Sequence, residues 1–370
     1  MPPRRVVITV LTLLLLMHGW LAWRLLPQLP VVLMIPLGVW LLLSTPLIAR
    51  GLLARANKRQ DGASSLEWLG LLSLGLFSTL MVLSLLREVL LWLPVPPAFT
   101  VWSAWGVWLI ALLASAIGLM NARRRARVVT VEVPINQLPE DLQGFRIVQI
   151  SDIHVGPTIR QPYLQAIVDA VNQLQPDVVA ITGDLVDGSV EALSAHTAPL
   201  ASLQARHGSY FVTGNHEYYS GAEPWVAEVR RLGITVLMNE HVKVQQGQAR
   251  LAVAGVTDYT AHQFIPQHRS DPHAAIAGAQ DCQVKVLLAH QPRTAPLAAE
   301  AGFHLQLSGH THGGQFLPWN WLVPLQQPFV AGLNRLADMW IYTSRGTGYW
   351  GPPKRFGAPS EITLLKLVRA

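Results

Sequence analysis

A single cysteine, Cys282, among 370 residues leaves no partner for an intramolecular disulfide and excludes a Cys-rich zinc module. Charge is also scarce. Asp, Glu, Lys and Arg make up 14% of the chain, against about 25% in an ordinary soluble protein. That shortage argues against disorder and puts part of the chain in lipid. Carboxylates are nearly missing from the first third: residues 1–127 hold 12 Lys and Arg but only 3 Asp and Glu, a net of +9. His18 is the one histidine there. The rest holds 16 basic and 19 acidic side chains, a net of −3, with the other twelve histidines. The overall +6 is therefore not a nucleic-acid footprint, because its basic residues sit among apolar runs.

Those runs are charge-free over residues 6–23, 25–48 and 68–86, and a fourth, 89–122, is interrupted by Pro94, Pro96 and Pro97. About 20 apolar residues of helix span a bilayer core, so the pattern predicts four spans at about 6–23, 29–48, 68–86 and 101–120. Trp20, Trp23, Trp40, Trp68, Trp92 and Trp102 fall near their ends, where interfacial aromatics collect. Ten basic residues lie before the first span, between the second and third, and after the fourth: Arg4, Arg5, Arg50, Arg55, Lys58, Arg59, Arg123, Arg124, Arg125 and Arg127. Only Arg24 and Arg87 are assigned to the other loops. The positive-inside rule then places the N-terminus and everything after Arg127 in the cytoplasm, in a multi-pass protein of the inner or plasma membrane. A cleaved signal with a twin-Arg start at Arg4-Arg5 is disfavoured by the three further apolar stretches.

Strand and helix signals alternate through the second part, favouring an α/β layered domain with its site at the carboxyl ends of the strands. Strands are predicted at 128–133, 145–150, 177–182, 210–213, 234–237, 242–245, 251–256, 284–289, 304–307, 340–343 and 362–368. Helices are predicted at 162–174, 190–203, 223–232 and 294–301. The expected organisation is a membrane region over 1–122, a basic linker and first strand over 123–140, and a catalytic domain over 141–370.

The residues that can do chemistry stand just past the strands. After 145–150 come Ser151-Asp152-Ile153-His154, and after 178–182 come Gly183-Asp184-Leu185-Val186-Asp187. After 211–213 come Gly214-Asn215-His216-Glu217. His290 succeeds 286–289, and Gly309-His310-Thr311-His312 succeeds 305–308. Carboxylate oxygens with neutral imidazoles suit Mn, Fe, Co, Ni or Zn. In Asp152-x-His154 and His310-x-His312, an extended backbone would point both ligands to one side. Glycine beside Asp184, Asn215 and His310 would permit the turns that aim them. One Asp-x-His alone is ordinary turn chemistry; five successive strand ends are not.

This ordered set resembles the calcineurin-like metallophosphoesterase superfamily over roughly residues 128–370. Ser308-Gly309-His310-Thr311-His312-Gly313-Gly314-Gln315 and the stretch from Ser344-Arg345-Gly346 to Pro359-Ser360-Glu361-Ile362 look closest to its membrane-anchored bacterial phosphohydrolase branch. The resemblance implies a four-layer αββα sandwich with two central sheets, here preceded by a four-helix transmembrane region. It implies two divalent ions, one held by Asp152, His154 and His312, the other by Asn215, His290 and His310, with Asp184 bridging. It also implies a substrate-facing His216 oriented by Asp187. The protein-phosphatase branch has Arg after the position of Asp187, whereas Gly188-Ser189 stands here, so Arg345 or Arg355 is expected to bind the phosphate instead. Relatives of this branch include hydrolases of UDP-diacylglucosamine-type lipid precursors.

The expected function is metal-dependent hydrolysis of a phosphodiester or pyrophosphate, with a phosphate-containing small molecule or lipid as substrate and the bilayer as partner. The alternatives are hydrolysis of soluble phosphodiesters by an anchored enzyme, or a non-catalytic membrane sensor. The strongly apolar stretch 316–325, with Trp319 and Trp321, is either a packed loop or a greasy lip beside the metals. His262, His268 and His273 read as a surface loop, and Cys282 as an inert small residue.

Overall fold

The computed structural model describes residues 4–53 and 63–370. Arg55, Lys58 and Arg59, which enter the orientation argument, lie outside the described residues. The chain clusters into a helical unit that ends at Arg123 and also takes in Gly351–Phe356, and an α/β unit of Arg124–Trp350 and Gly357–Ala370.

In the helical unit, α1 (Arg4–Leu25), α2 (Val31–Leu53), α3 (Ser65–Leu91) and α4 (Pro97–Arg123) are each long and apolar enough to cross a membrane. They outrun the predicted spans because their polar ends find partners. Ser64 and Glu67 form a capping box at the start of α3. Arg24 and Arg87 lie inside α1 and α3, not in loops. Arg87 donates to Ser103 Oγ, the Thr100 carbonyl and Glu88, each at 2.9 Å, and Arg24 pairs with Glu88. Glycine allows α2 and α3 to touch: a Cβ at Gly70 would sit 1.9 Å from the Leu47 carbonyl oxygen. The Lys354 ammonium is buried in this unit, donating to the Gly75 carbonyl and Ser115 Oγ, each at 3.0 Å, and to Thr79 Oγ1.

The α/β unit begins with β1 (Arg127–Ile135), β2 (Arg146–Ile150), α5 (Gln161–Gln173), β3 (Val178–Ile181), α6 (Val190–Thr197) and β4 (Ser209–Phe211). It continues with α7 (Asn215–Ser220), α8 (Ala222–Arg231), β5 (Thr235–Val236), β6 (Glu240–Gln246), β7 (Ala249–Gly255) and α9 (Pro272–Ile276). The last elements are β8 (Val284–Leu288), α10 (Ala295–Glu300), β9 (Leu305–Ser308), β10 (Gly332–Leu336), β11 (Met339–Thr343) and β12 (Glu361–Arg369). The strands form two six-stranded sheets, ordered β1-β12-β2-β3-β4-β5 and β10-β11-β9-β8-β7-β6. Within the first, β2 to β5 run parallel; within the second, β7, β8, β9 and β11 do.

The sheets pack face to face over one core in which Ile147, Val178 and Tyr210 meet Leu251, Val286 and Leu305. On the outer face of the second sheet, Ala254, Leu287 and Ile341 pack with Ala275 of α9 and Ala298 of α10. On the first, α5 is the crossover between parallel β2 and β3 and buries Leu164, Ile167, Val168 and Val171. This is the expected α/β sandwich. Three elements escaped the pattern: β10, α7 and α9 are short and have weak periodicity. The predicted 190–203 helix ends at Thr197 and tightens to a 3-10 turn over Ala198–Ser202, which contains Pro199.

Candidate metal centre

Because β2, β3 and β4 are parallel neighbours in one sheet, and β8 and β9 are parallel neighbours in the other, five carboxyl ends open on one edge. The two sheets are stitched there by Gln149, whose buried amide donates to Thr182 Oγ1 at 2.8 Å and to the Ser308 carbonyl at 2.9 Å.

The candidate ligands are not aimed by extended backbone, as the alternating spacing suggested. Asp152, His154, Asp184, His310 and His312 all take left-handed conformations, with φ of 52°, 55°, 50°, 71° and 51°. Each such residue carries about 1–3 kcal/mol of strain. Of the three flanking glycines only Gly183, at φ 85°, supplies a left-handed turn. Gly214 and Gly309 are needed for close approach instead. A Cβ at Gly214 would lie 2.2 Å from Asp184 Oδ1, and one at Gly309 would lie 2.0 Å from Ser151 Oγ.

Three sets of donor atoms converge, each within 4.8 Å: Asp152, His154 and His312; His154, Asp184 and His216; Asp184, His290 and His310. Asp184 Oδ2 lies 3.2 Å from His290 Nε2 and 3.8 Å from the Nε2 atoms of both His154 and His216. His154 and His312 face each other Nε2 to Nε2 at 3.0 Å, and His310 Nδ1 faces His290 Nε2 at 3.2 Å. Asp152 Oδ2 and Asn215 Oδ1 are buried with no hydrogen-bond partner. Orphaned buried oxygens and imidazole nitrogens pointed at one another are costly in an apolar interior unless a cation lies among them. The donor set therefore fits a pair of divalent ions of the nitrogen- and oxygen-loving kind.

Further partners hold these groups in register. His290 Nδ1 donates to the Thr182 carbonyl at 2.8 Å, leaving Nε2 for the site. Asp187 Oδ1 accepts from His216 Nδ1 at 2.5 Å and from His154 Nδ1 at 3.2 Å, so one carboxylate orients two imidazoles. The crowding sets the electrostatics. Burial opposes charge on Asp184, but His290, His216 and His154 hold it well below the usual carboxylate range. Burial likewise opposes a proton on His290, and Asp184 overrides it, lifting the imidazole well above its ordinary value. Burial and the neighbouring His290 push His310 down to about 3, keeping its nitrogen lone pair available. Asp152 is raised by burial.

All seven proposed ligands, with His216 and Asp187, meet at this edge. Arg345 stands beside it: its Nη1 pairs with Glu361 Oε2 at 2.9 Å, and its Cγ would lie 3.0 Å from a Cβ at Gly313, the residue after His312. Arg355 belongs to the helical unit. It is fully buried there, its N–H donating to the Gly118 carbonyl at 2.9 Å and its carbonyl accepting from Asn121 Nδ2 at 3.1 Å. His268 is tied to the Tyr218 hydroxyl at 3.0 Å in a turn-rich loop, and Cys282 is a buried free thiol.

Two contributors were missed. Glu217, fully buried, accepts from the backbone N–H groups of Gly214, Asp184, Leu185 and Val186 at 2.6, 3.0, 2.8 and 3.3 Å. It thereby clamps the β3 and β4 ends together, and burial with the Asp184 charge pushes its carboxyl up to about 8. Asp258, also fully buried, accepts from Gln291 Nε2 at 3.0 Å and faces the His290 charge. It lies just past β7, and the same strand-end rule that found the others points to it.

A family model described as calcineurin-like phosphoesterase matches residues 145–314. The chain is 42% identical over 273 residues to a Danio rerio transmembrane protein with metallophosphoesterase domain, covering 70% of this chain and 62% of that protein. An uncharacterized metallophosphoesterase of Aquifex aeolicus is 30% identical over 243 residues, covering 65% of this chain and 91% of that one. The chain thus spans 62% of the length of the zebrafish relative, and the same share of a bovine one. Among solved structures, a 5'-nucleotidase precursor from Thermus thermophilus matches with a TM-score of 0.39 at 16% identity, covering 60% of this chain and 54% of that one.

Proposed function

The chain belongs to the calcineurin-like metallophosphoesterase family, and on that premise we propose that it hydrolyses a phosphodiester or pyrophosphate bond at a two-metal centre while its apolar helices anchor it in a membrane. The observation that carries this reading is the convergence of donor atoms from Asp152, His154, Asp184, His290, His310 and His312, together with the unpartnered buried oxygens Asp152 Oδ2 and Asn215 Oδ1. Asp152, His154 and His312 would hold one ion, Asn215, His290 and His310 the other, and Asp184 would lie between them. Two bound divalent ions supply Lewis acidity to a phosphoryl oxygen and to water.

The remaining chemistry belongs to side chains. His216, with Nδ1 fixed by Asp187, turns Nε2 towards the site and is placed to give a proton to the leaving oxygen. Arg345, steadied by Glu361, is the cationic side chain beside the His312 turn and is proposed to bind a phosphoryl oxygen. A lipid-linked substrate of the UDP-diacylglucosamine kind is supported by the apolar turns after His312, where Trp321 is 72% and Leu325 80% exposed. The basic residues flanking the spans support a catalytic half on the cytoplasmic side of the inner or plasma membrane.

The test is a substrate profile of the purified full-length protein with Mn²⁺, comparing acylated and soluble phosphodiesters and pyrophosphates with a His216→Ala control. Turnover of an acylated substrate, lost in the control, supports the full reading. Turnover of soluble diesters alone makes the helices a simple anchor. Metal binding without any turnover would favour a sensor.

A further inference from the structure

The metal edge is polar and buried, but the side of it occupied by His216 is not. Tyr219 and Trp350 both stand edge-to-face against the His216 imidazole, with ring centroids at 5.1 and 5.8 Å and interplanar angles of 64° and 78°. Phe264 extends this surface, 5.6 Å from Tyr219. The three rings are 62%, 44% and 48% exposed, respectively for Tyr219, Trp350 and Phe264. The Trp350 backbone is held in place. Gln315 donates through Nε2 to the Trp350 carbonyl and accepts from its N–H, both at 2.7 Å. Gln315 is itself buried and closes the turn that begins at His312, so the ligand turn and Trp350 are placed as one piece. This gives a role to a motif residue that the metal chemistry leaves unused.

We propose that Tyr219 and Trp350, extended by Phe264, form the leaving-group subsite, and that it takes a flat aromatic ring, such as an aryl group or nucleobase, carried by the departing side of the phosphodiester or pyrophosphate. The inference rests on the phosphoesterase reading and on His216 as the proton donor. A general acid must come within hydrogen-bond reach of the oxygen it protonates, so the group attached to that oxygen lies against whatever surrounds His216. Its surroundings are aromatic on two sides. Exposed ring faces attract flat π-systems beyond simple area burial, and a stacked base or ring gains enough for roughly a fivefold to hundredfold preference. The bond broken is P–O to the leaving group; water supplies the new oxygen on phosphorus, and the His216 proton goes to the departing oxygen.

The experiment compares two methyl diesters whose leaving groups match in acidity but not in shape, methyl phenyl phosphate and methyl hexafluoroisopropyl phosphate, on the full-length protein with Mn²⁺. The expected result is a kcat/KM ratio about tenfold or more in favour of the phenyl ester. In Tyr219→Leu and Trp350→Leu, which keep apolar bulk but remove the flat face, that ratio falls several-fold, and in Trp350→Phe it is retained. Equal loss on both esters in the leucine variants would mean that the rings only support His216 and would overturn the subsite. So would hydrolysis of both esters by the unaltered protein without preference, an outcome that leaves the phosphoesterase reading standing. Hydrolysis of neither ester by protein that turns over an acylated or pyrophosphate substrate would overturn this inference alone, and no turnover of any of these substrates would overturn the phosphoesterase reading with it.

Discussion

At the scale of single residues, the site is organised by carboxylates that hold imidazoles and backbone N–H groups in place. Asp187 is the orienting group for His216 and His154 alike, each through Nδ1. Removing such a partner ordinarily lowers activity or metal affinity by about 10–100-fold, and Asp187→Ala is expected to fall in that range. In a His216→Ala background, the same change should have little further effect on kcat and show instead as weaker metal binding through His154. His216→Ala itself should lower kcat by about 10²–10⁴-fold with the metal content of the protein unchanged. Glu217 has a different task. With four backbone donors on one buried carboxyl, Glu217→Ala leaves those N–H groups unsatisfied and should destabilise the protein by about 3 kcal/mol. A thermal or urea unfolding curve of the metal-free protein reads this directly, and an unchanged midpoint would contradict the clamp. The residues that gather at this edge were legible because Asp, Asn and His that recur just past apolar strands make a donor set, not a run of unrelated caps. Glu217 was visible in Gly-Asn-His-Glu but its role was not, since backbone N–H groups leave no trace in sequence.

Among the elements, the strands were legible and their exits were not. Apolar runs ending in polar residues located β2, β3, β4, β8 and β9 to within two residues at either end. The left-handed turns at Asp152, His154, Asp184, His310 and His312 could not be read, because Asp and His enter that conformation more often than most residues but still rarely, and here the assembled fold enforces it. Two of the flanking glycines serve close approach and not turning. Close approach predicts that Gly309→Ala, with its Cβ 2.0 Å from Ser151 Oγ, must displace the Asp152 turn. Overpacking of this kind costs about 1–3 kcal/mol, and here it should also weaken metal binding; a variant with full stability and unchanged affinity would show that the turn can yield. The helical unit carries a parallel case at Gly70, tight against Leu47, where leucine would force α2 and α3 apart. Short elements such as α7 and β10 were missed because five or six residues hold too little periodicity to stand out.

Taken as a whole molecule, the chain divides its charge by task. The basic residues border apolar helices, while carboxylates and histidines gather at the edge shared by the two sheets. The helices themselves were plain from composition, although Arg24 and Arg87 are inside them, stabilised by Glu88 and by Ser103. Orientation gives a direct expectation. Since Cys282 is buried, new cysteines at Arg5 and at the fully exposed Asp338 can be labelled selectively. Both should resist an impermeant maleimide in intact cells and react in inverted membrane vesicles; labelling from outside would reverse the proposed topology. The central claim is that hydrolysis depends on two ions held by the seven ligands. It is tested most directly by stripping the full-length protein of metal and titrating Mn²⁺ back while diester hydrolysis and bound metal are measured together. The account predicts no turnover without metal, activity that rises to a plateau as about two ions bind per chain, and loss of that activity in Asp184→Asn. Undiminished hydrolysis by the stripped protein, or by Asp184→Asn, would contradict it.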